Sequence, residues 1–171
     1  MKSLPTFLVI LVSIFTFSQD FKIWSSNETL TFADFKSAVP KNETASVNLA
    51  TTISFQTKTE NGKVVDFDVF NRLNRDASWI KVKKKSVLDL QQIQFDMSEL
   101  YARKIRKEVA ELLRRKEGDK DHYVEIVTKY TKELQSKSQR EKVMIEDQPH
   151  LIKLLQKEIA DSLKEYEAYK N

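Results

Sequence analysis

The sequence has no cysteine, only two glycines and only three prolines among its 171 residues. Without thiols the chain has no disulfides and no thiolate metal ligands, so its stability has to come from packing. The scarcity of glycine and proline, together with the absence of internal repeats of about 20 to 50 residues, argues against a solenoid or a disordered linker. A chain of this length is expected to form one domain.

An excess of charge of one sign is also lacking. Lysine and arginine together number 29 and aspartate and glutamate 25, which gives a formal net charge of +4. The two signs alternate closely along the second half of the chain, whereas a nucleic-acid-binding surface needs a face of one sign. No nucleic-acid partner is expected.

Long apolar runs are confined to the first residues. Lys2 precedes an apolar stretch over residues 4–17, which is shorter than the roughly 20 residues that span a bilayer. The polar residues Ser18, Gln19 and Asp20 follow directly, and the three-part pattern is typical of a signal peptide. We therefore predict a signal peptide over residues 1–19 and a single exported domain over residues 20–171, periplasmic or secreted, with no stable membrane span after cleavage.

The first part of the exported domain has the composition of β-structure. Its candidate strands are rich in β-branched and aromatic residues, and Asn61-Gly62 is a hairpin turn signal between two of them. A short helical turn is predicted at residues 32–36. The candidate strands cover residues 24–25, 46–57, 64–70 and 78–82.

From residue 86 the apolar residues recur at intervals of three and four, which predicts amphipathic helices. The predicted helices cover residues 86 to about 118, 121–136 and 149–169, with a loose loop over residues 136–148. The expected fold class is α+β, with a small antiparallel sheet from the N-terminal half packed on two or three helices from the C-terminal half.

Residues 87–109 read VLDLQQIQFDMSELYARKIRKEV. This segment resembles the helix motif of a bacterial family of predicted secreted zinc-dependent proteases, a domain of unknown function whose motif runs His-Glu-Gln-x-His-Phe-Asp-Ile. Leu90 and Gln94 stand where that family has its histidines, and Gln91 stands where it has its glutamate. The residues that agree with the family's pattern are Gln92, Phe95, Asp96, Glu99, Ala102 and Arg103.

Two further blocks resemble the same family: Trp24 followed by LTFADFK at residues 30–36, and the pair Ser78-Trp79. The resemblance covers roughly residues 24–115. It implies a protease-like α+β domain with its active helix in the middle of the chain.

The resemblance also implies that the zinc site is degenerate. Two histidines four residues apart bind one zinc ion from one helix face, and the glutamate between them activates the bound water. Leu90 has no lone pair, the neutral amide of Gln94 is a poor zinc ligand, and the amide of Gln91 is not basic enough to accept a proton. The expected protein is therefore a noncatalytic pseudoenzyme that needs no metal or other cofactor.

Three functions follow as hypotheses. The leading one is a peptide- or protein-binding groove near Gln91, Gln94, Asp96 and Glu99, with an extended peptide along the sheet edge beside the helix. The second is a metal-dependent hydrolase with displaced ligands such as Glu99 and His150, which requires the two side chains to lie within about 5 Å of each other. The third is a structural or assembly protein of unrelated α+β fold.

The remaining candidates have ordinary structural explanations. His122 and His150 both stand near predicted helix starts, where an exposed histidine is common. Asp96 and Glu99 are expected to form structural salt bridges with arginines such as Arg103 on the same helix.

Overall fold

The structure is a computed structural model that describes residues 19–171, so the predicted signal peptide lies outside the described residues except for Gln19. The described chain has the predicted α+β fold, with an antiparallel sheet from its N-terminal half and helices from its C-terminal half. The strands are β1 (Phe21–Ile23), β2 (Val47–Asn48), β3 (Thr51–Glu60), β4 (Lys63–Asn74) and β5 (Trp79–Ile80). The helices are α1 (Lys85–Arg115), α2 (Lys120–Asp147) and α3 (Ile152–Glu165).

The β3–β4 hairpin is the main part of the sheet. Its turn is the predicted Asn61-Gly62, where both residues have positive φ angles of 52° and 77°, as the tightest hairpin turns require. β1 pairs antiparallel with the far end of β4, which gives the strand order β1-β4-β3. β2 and β5 pair in a separate two-stranded sheet.

The sheet is covered by helices on one face. Side chains alternate along β4, and Phe67, Val69 and Leu73 on one side are buried while Asp66 and Asp68 on the other are exposed. α1 packs across the buried face and also contacts α2 and α3. The prediction of a small antiparallel sheet packed on helices is confirmed.

Three strand predictions are wrong in their bounds. The predicted strand at residues 24–25 lies instead at Phe21–Ile23, because Trp24 leaves the strand to point its indole at α1. The single strand predicted at 46–57 is interrupted at Ala50, whose amide binds the Ser78 hydroxyl, so that β2 and β3 belong to different sheets. The strand predicted at 78–82 is only Trp79–Ile80.

The predicted loop over residues 136–148 is wrong. α2 continues to Asp147 because the segment consists largely of strong helix formers, with a Lys137–Glu141 ion pair of 2.9 Å one turn apart. Buried Ile145 continues its apolar face. The other two helices begin and end close to the predicted positions, and a 3₁₀ turn at Pro149–Leu151 precedes α3.

Candidate functional site

α1 carries the segment that resembles the protease motif, and it presents two faces to different surroundings. Residues three and four apart share a face of a helix, so Leu90, Gln91 and Gln94 project to one side. Asp96 and Glu99 project to the opposite side. The motif is therefore divided between two environments, and only one of them is open.

The face with Leu90, Gln91 and Gln94 forms one wall of a groove with a volume of about 850 Å³. The start of β3 and the chain before it form a second wall, and the C-terminal half of α2 forms the third. The described residues that line the groove on α1 are Val87, Leu90, Gln91, Gln94 and Ser98. Those on α2 are Thr131, Leu134, Gln135, Ser138, Gln139, Lys142 and Ile145.

The groove wall does not fit a zinc ion. The family's ligand positions hold Leu90, which has no donor atom, and Gln94, whose carbonyl oxygen is neutral. Gln91 donates through its amide nitrogen to the carbonyl oxygen of Val87 at 3.4 Å, and its amide cannot act as a base near neutral pH. These three side chains therefore supply neither zinc ligands nor a general base.

Asp96 does not line the groove. It accepts hydrogen bonds from the indole nitrogen of Trp24 at 2.7 Å and from the amide of Gln92 at 2.8 Å. Gln92 in turn accepts the backbone N–H of Leu30 at 2.6 Å. Burial raises the pKa of Asp96 above its ordinary value, although these two donors act in the opposite direction. Asp96 thus holds the N-terminal segment against α1.

Glu99 is also away from the groove, in a buried ion-pair network. Its side chain is 2% exposed, and one carboxylate oxygen accepts from Arg103 at 3.1 Å and from Arg106 at 2.8 Å. Arg103, 1% exposed, also donates to the carbonyl oxygen of Leu163 in α3 at 2.6 Å. The predicted Glu99–Arg103 salt bridge is confirmed, whereas Asp96 has no such pairing among the ion pairs of residues 19–171.

The polar residues of α1 that agree with the family's pattern therefore lie away from the groove, on a different face from the positions of the motif's metal site. Gln92, Asp96, Glu99 and Arg103 agree, and they bind the N-terminal segment and the C-terminal helix to α1. Leu90, Gln91 and Gln94, at the motif's ligand and base positions, line the groove, whereas Met97, at the position of its final isoleucine, is buried. The polar residues that match the pattern therefore hold the frame, and the positions that correspond to the motif's metal site lie on the open face.

The two histidines do not contribute to a metal site. His122 lies in the first turn of α2 and His150 in the 3₁₀ turn before α3, and both are exposed, as expected. Across the described part of the chain, no three aspartate, glutamate or histidine side chains are placed to hold one metal ion. The carboxylate of Glu99 is engaged by two arginines, so the displaced ligand pair of Glu99 and His150 finds no support.

The site predicted from the sequence does not include the α2 wall of the groove. The positions Thr131, Leu134, Ser138, Lys142 and Ile145 follow the intervals of three and four that define a helix face, and this signal is present in the sequence. The signal is weak because most of this face is polar. The groove is consequently wider and richer in amide groups than the predicted site.

A second, smaller cleft of about 420 Å³ lies between α1 and α2 and is lined mainly by charged side chains. Tyr130 borders it, and burial together with neighbouring Glu108 raises the pKa of its phenol well above the ordinary value. The lining contains both cationic side chains, such as Lys107, and anionic side chains, such as Glu111, so it has no strong charge of one sign. It has the character of a solvated helix surface.

Comparisons of the chain with protein-family models, with curated proteins and with solved structures found no match. None of the helices within residues 19–171 combines the length and apolar character needed to cross a membrane.

Proposed function

We propose that the protein is an exported, noncatalytic relative of secreted zinc metalloproteases whose groove binds an extended peptide segment of a partner protein. One observation carries this proposal. The three positions that correspond to the motif's zinc ligands and general base, Leu90, Gln91 and Gln94, line an open groove, whereas the matching residues Asp96 and Glu99 hold the frame together.

The shape and lining of the groove suit a ligand. A volume of about 850 Å³ lies within the range of roughly 300 to 1,000 Å³ that is usual for binding clefts. Apolar side chains such as Leu90, Leu134 and Ile145 supply contact area, and amides and hydroxyls between them supply hydrogen bonds. Such a mixture favours a ligand that has both side chains to bury and polar groups to satisfy.

Binding without turnover follows from the chemistry of the same side chains. Amide and aliphatic groups replace the imidazoles and the carboxylate that would hold zinc and activate water. A peptide in the groove would meet hydrogen-bonding groups but no zinc-activated water.

Peptide binding provides the test. The protein, purified after expression of the full chain, is titrated into fluorescein-labelled unstructured nonapeptides, and binding is followed by fluorescence anisotropy. The Gln94→Arg variant, which places a long charged side chain in the groove, is expected to weaken binding by about tenfold or more. Gln156→Arg makes the same change on the exposed surface of α3 and serves as the matched control.

The same samples are incubated with zinc and analysed by mass spectrometry, and intact peptides are the expected result. Cleavage that depends on zinc would contradict the noncatalytic assignment. Equal affinity of the Gln94→Arg and wild-type proteins, or no binding by any peptide, would contradict the assignment of the groove.

A further inference from the structure

Three consecutive residues of β3, Thr51, Thr52 and Ile53, all border the groove. Side chains alternate between the two faces of a strand, so three neighbours in a row cannot reach the same space from one face. The groove must instead meet the edge of β3, where the backbone itself is accessible. In the described sheet this edge has no neighbouring strand, because β3 pairs with β4 alone.

The hydrogen-bond pattern identifies which backbone groups face this edge. The Asn74 amide donates to the carbonyl oxygen of Ala50 at 2.9 Å. Since bonded and non-bonded pairs alternate in an antiparallel ladder, Thr52 directs its N–H and C=O toward β4, whereas Thr51 and Ile53 direct theirs away. The Thr51 amide donates to the Leu49 carbonyl at 3.1 Å. The Thr51 C=O and both backbone groups of Ile53 therefore remain at the edge.

β4 confirms this alternation from its other side. Asn71 and Val69 are the partners of Ile53 and Phe55. The Asn71 carbonyl accepts the Trp24 amide at 3.1 Å, and the Val69 carbonyl accepts from a side chain of α1. Both carbonyls point away from β3, as they must if Ile53 and Phe55 direct their own groups to the open edge.

The side chains around this edge are largely neutral. Although 32% of the chain's residues are charged, Lys142 is the single charged residue among the described side chains that line the groove. Glutamines stand on both helical walls, Gln91 and Gln94 on α1 and Gln135 and Gln139 on α2. A glutamine amide both donates and accepts, as a peptide group does, so the lining is complementary in charge and in hydrogen bonding to an extended main chain.

We propose that the groove recognises the main chain of an extended polypeptide segment, which adds to β3 as a further strand while the glutamines bind its remaining peptide groups. This inference rests on the proposed function and specifies its ligand class. Recognition through backbone groups is indifferent to most side chains, so the partner class is unfolded or extended polypeptide of many sequences. The apolar side chains between the glutamines accept alternate side chains of the added strand.

The test changes the peptide and leaves the protein unchanged, so folding is not at issue. The probe is a fluorescein-labelled nonapeptide of alternating threonine and valine with a lysine at each end. A second peptide alternates serine and leucine, and a third is the first with its central amides N-methylated. The two unmethylated peptides are expected to bind within about threefold of each other, and N-methylation is expected to weaken binding by about tenfold or more because backbone donors are lost.

A variant of the second wall adds an independent measurement. Gln139→Leu is expected to weaken binding of both unmethylated peptides by the same factor, because the amide contacts a group that both share. Methylated and unmethylated peptides of equal affinity, or a strong preference for one side-chain sequence, would overturn main-chain recognition and leave the proposed binding function standing. Failure of every peptide to bind, including the case in which light scattering shows that the chain forms a dimer, would overturn both.

Discussion

Glu99 illustrates how the frame depends on single side chains. Its carboxylate is buried with the guanidinium groups of Arg103 and Arg106, and Arg103 also stacks over the Trp24 ring at 5.2 Å. A buried charge is tolerated only when it is paired, and the loss of one partner leaves the others uncompensated. The packing of α1 against Trp24 and α3 therefore depends on the charge of Glu99.

We predict that Glu99→Gln lowers the free energy of unfolding by about 3 to 5 kcal/mol, because it leaves two arginines without their buried counter-charge. Urea unfolding followed by circular dichroism measures this loss. Glu60→Gln is the matched control, since Glu60 pairs with Lys58 at 2.7 Å while 56% exposed, and exposed pairs contribute only about 0 to 1 kcal/mol. Similar losses in the two variants would contradict the role assigned to the buried network.

Sequence reasoning reached only the local part of this network. The spacing of Glu99 and Arg103 places them one helical turn apart, so their pairing follows from helix geometry. The contact of Trp24 with Asp96 joins residues far apart in the chain, and no local pattern predicts it. The same separation explains why Asp96 was assigned to the groove, since the face of α1 that the N-terminal segment covers depends on the tertiary fold.

At the scale of elements, the end of α1 has an unusual residue for its conformation. Lys116 has a φ angle of 56°, in the left-handed region that glycine commonly occupies at helix ends. The Lys116 and Glu117 amides close the helix by donating to the Leu113 and Leu112 carbonyls, both at 3.1 Å. A side chain at this position carries a conformational penalty that glycine does not.

We predict that Lys116→Gly raises the free energy of unfolding by about 1 kcal/mol, because it relieves this left-handed strain. Lys157→Gly, in the exposed middle of α3, is expected to lower it by about 1 kcal/mol. Replacing lysine by glycine is thus expected to stabilise the protein at position 116 and to destabilise it at position 157. Thermal unfolding of both variants measures the two changes in stability. A loss of stability in both would show that the cap is not strained.

The elements differ in how well the sequence predicts them. The β3–β4 hairpin and α1 have strong local signals, a two-residue turn and a long apolar periodicity, and both were predicted. The second half of α2 has few apolar residues, so its periodicity is weak and its helix depends on propensity and on packing of Ile145. One wall of the groove was lost from the prediction for that reason.

At the scale of the whole molecule, the last residues connect the end of the chain to its first sheet. The side-chain amide of Asn171 donates to the Val69 carbonyl at 2.8 Å, and Arg106 donates to the Tyr169 carbonyl at 3.0 Å. The Glu167 carboxylate accepts from Arg103 at 2.9 Å, which holds the pKa of Glu167 below its ordinary value. The C-terminus thus meets the opposite side of α1 from the groove.

We predict that a chain ending at Tyr166 loses about 2 to 3 kcal/mol of unfolding free energy. The bonds to Val69 and from Arg106 are each worth about 1 kcal/mol, and the loss of the exposed Glu167 that pairs with Arg103 adds about 0 to 1 kcal/mol. Asn171→Ala alone is expected to lose about half of that, and urea midpoints of the two variants give the comparison. The groove is formed by other elements, so peptide affinity of the shortened protein should be unchanged at low temperature. A shortened chain as stable as the parent would mean that residues 167–171 contribute nothing to the frame. A loss of peptide affinity without unfolding would place the binding surface on the side of α1 that these residues contact.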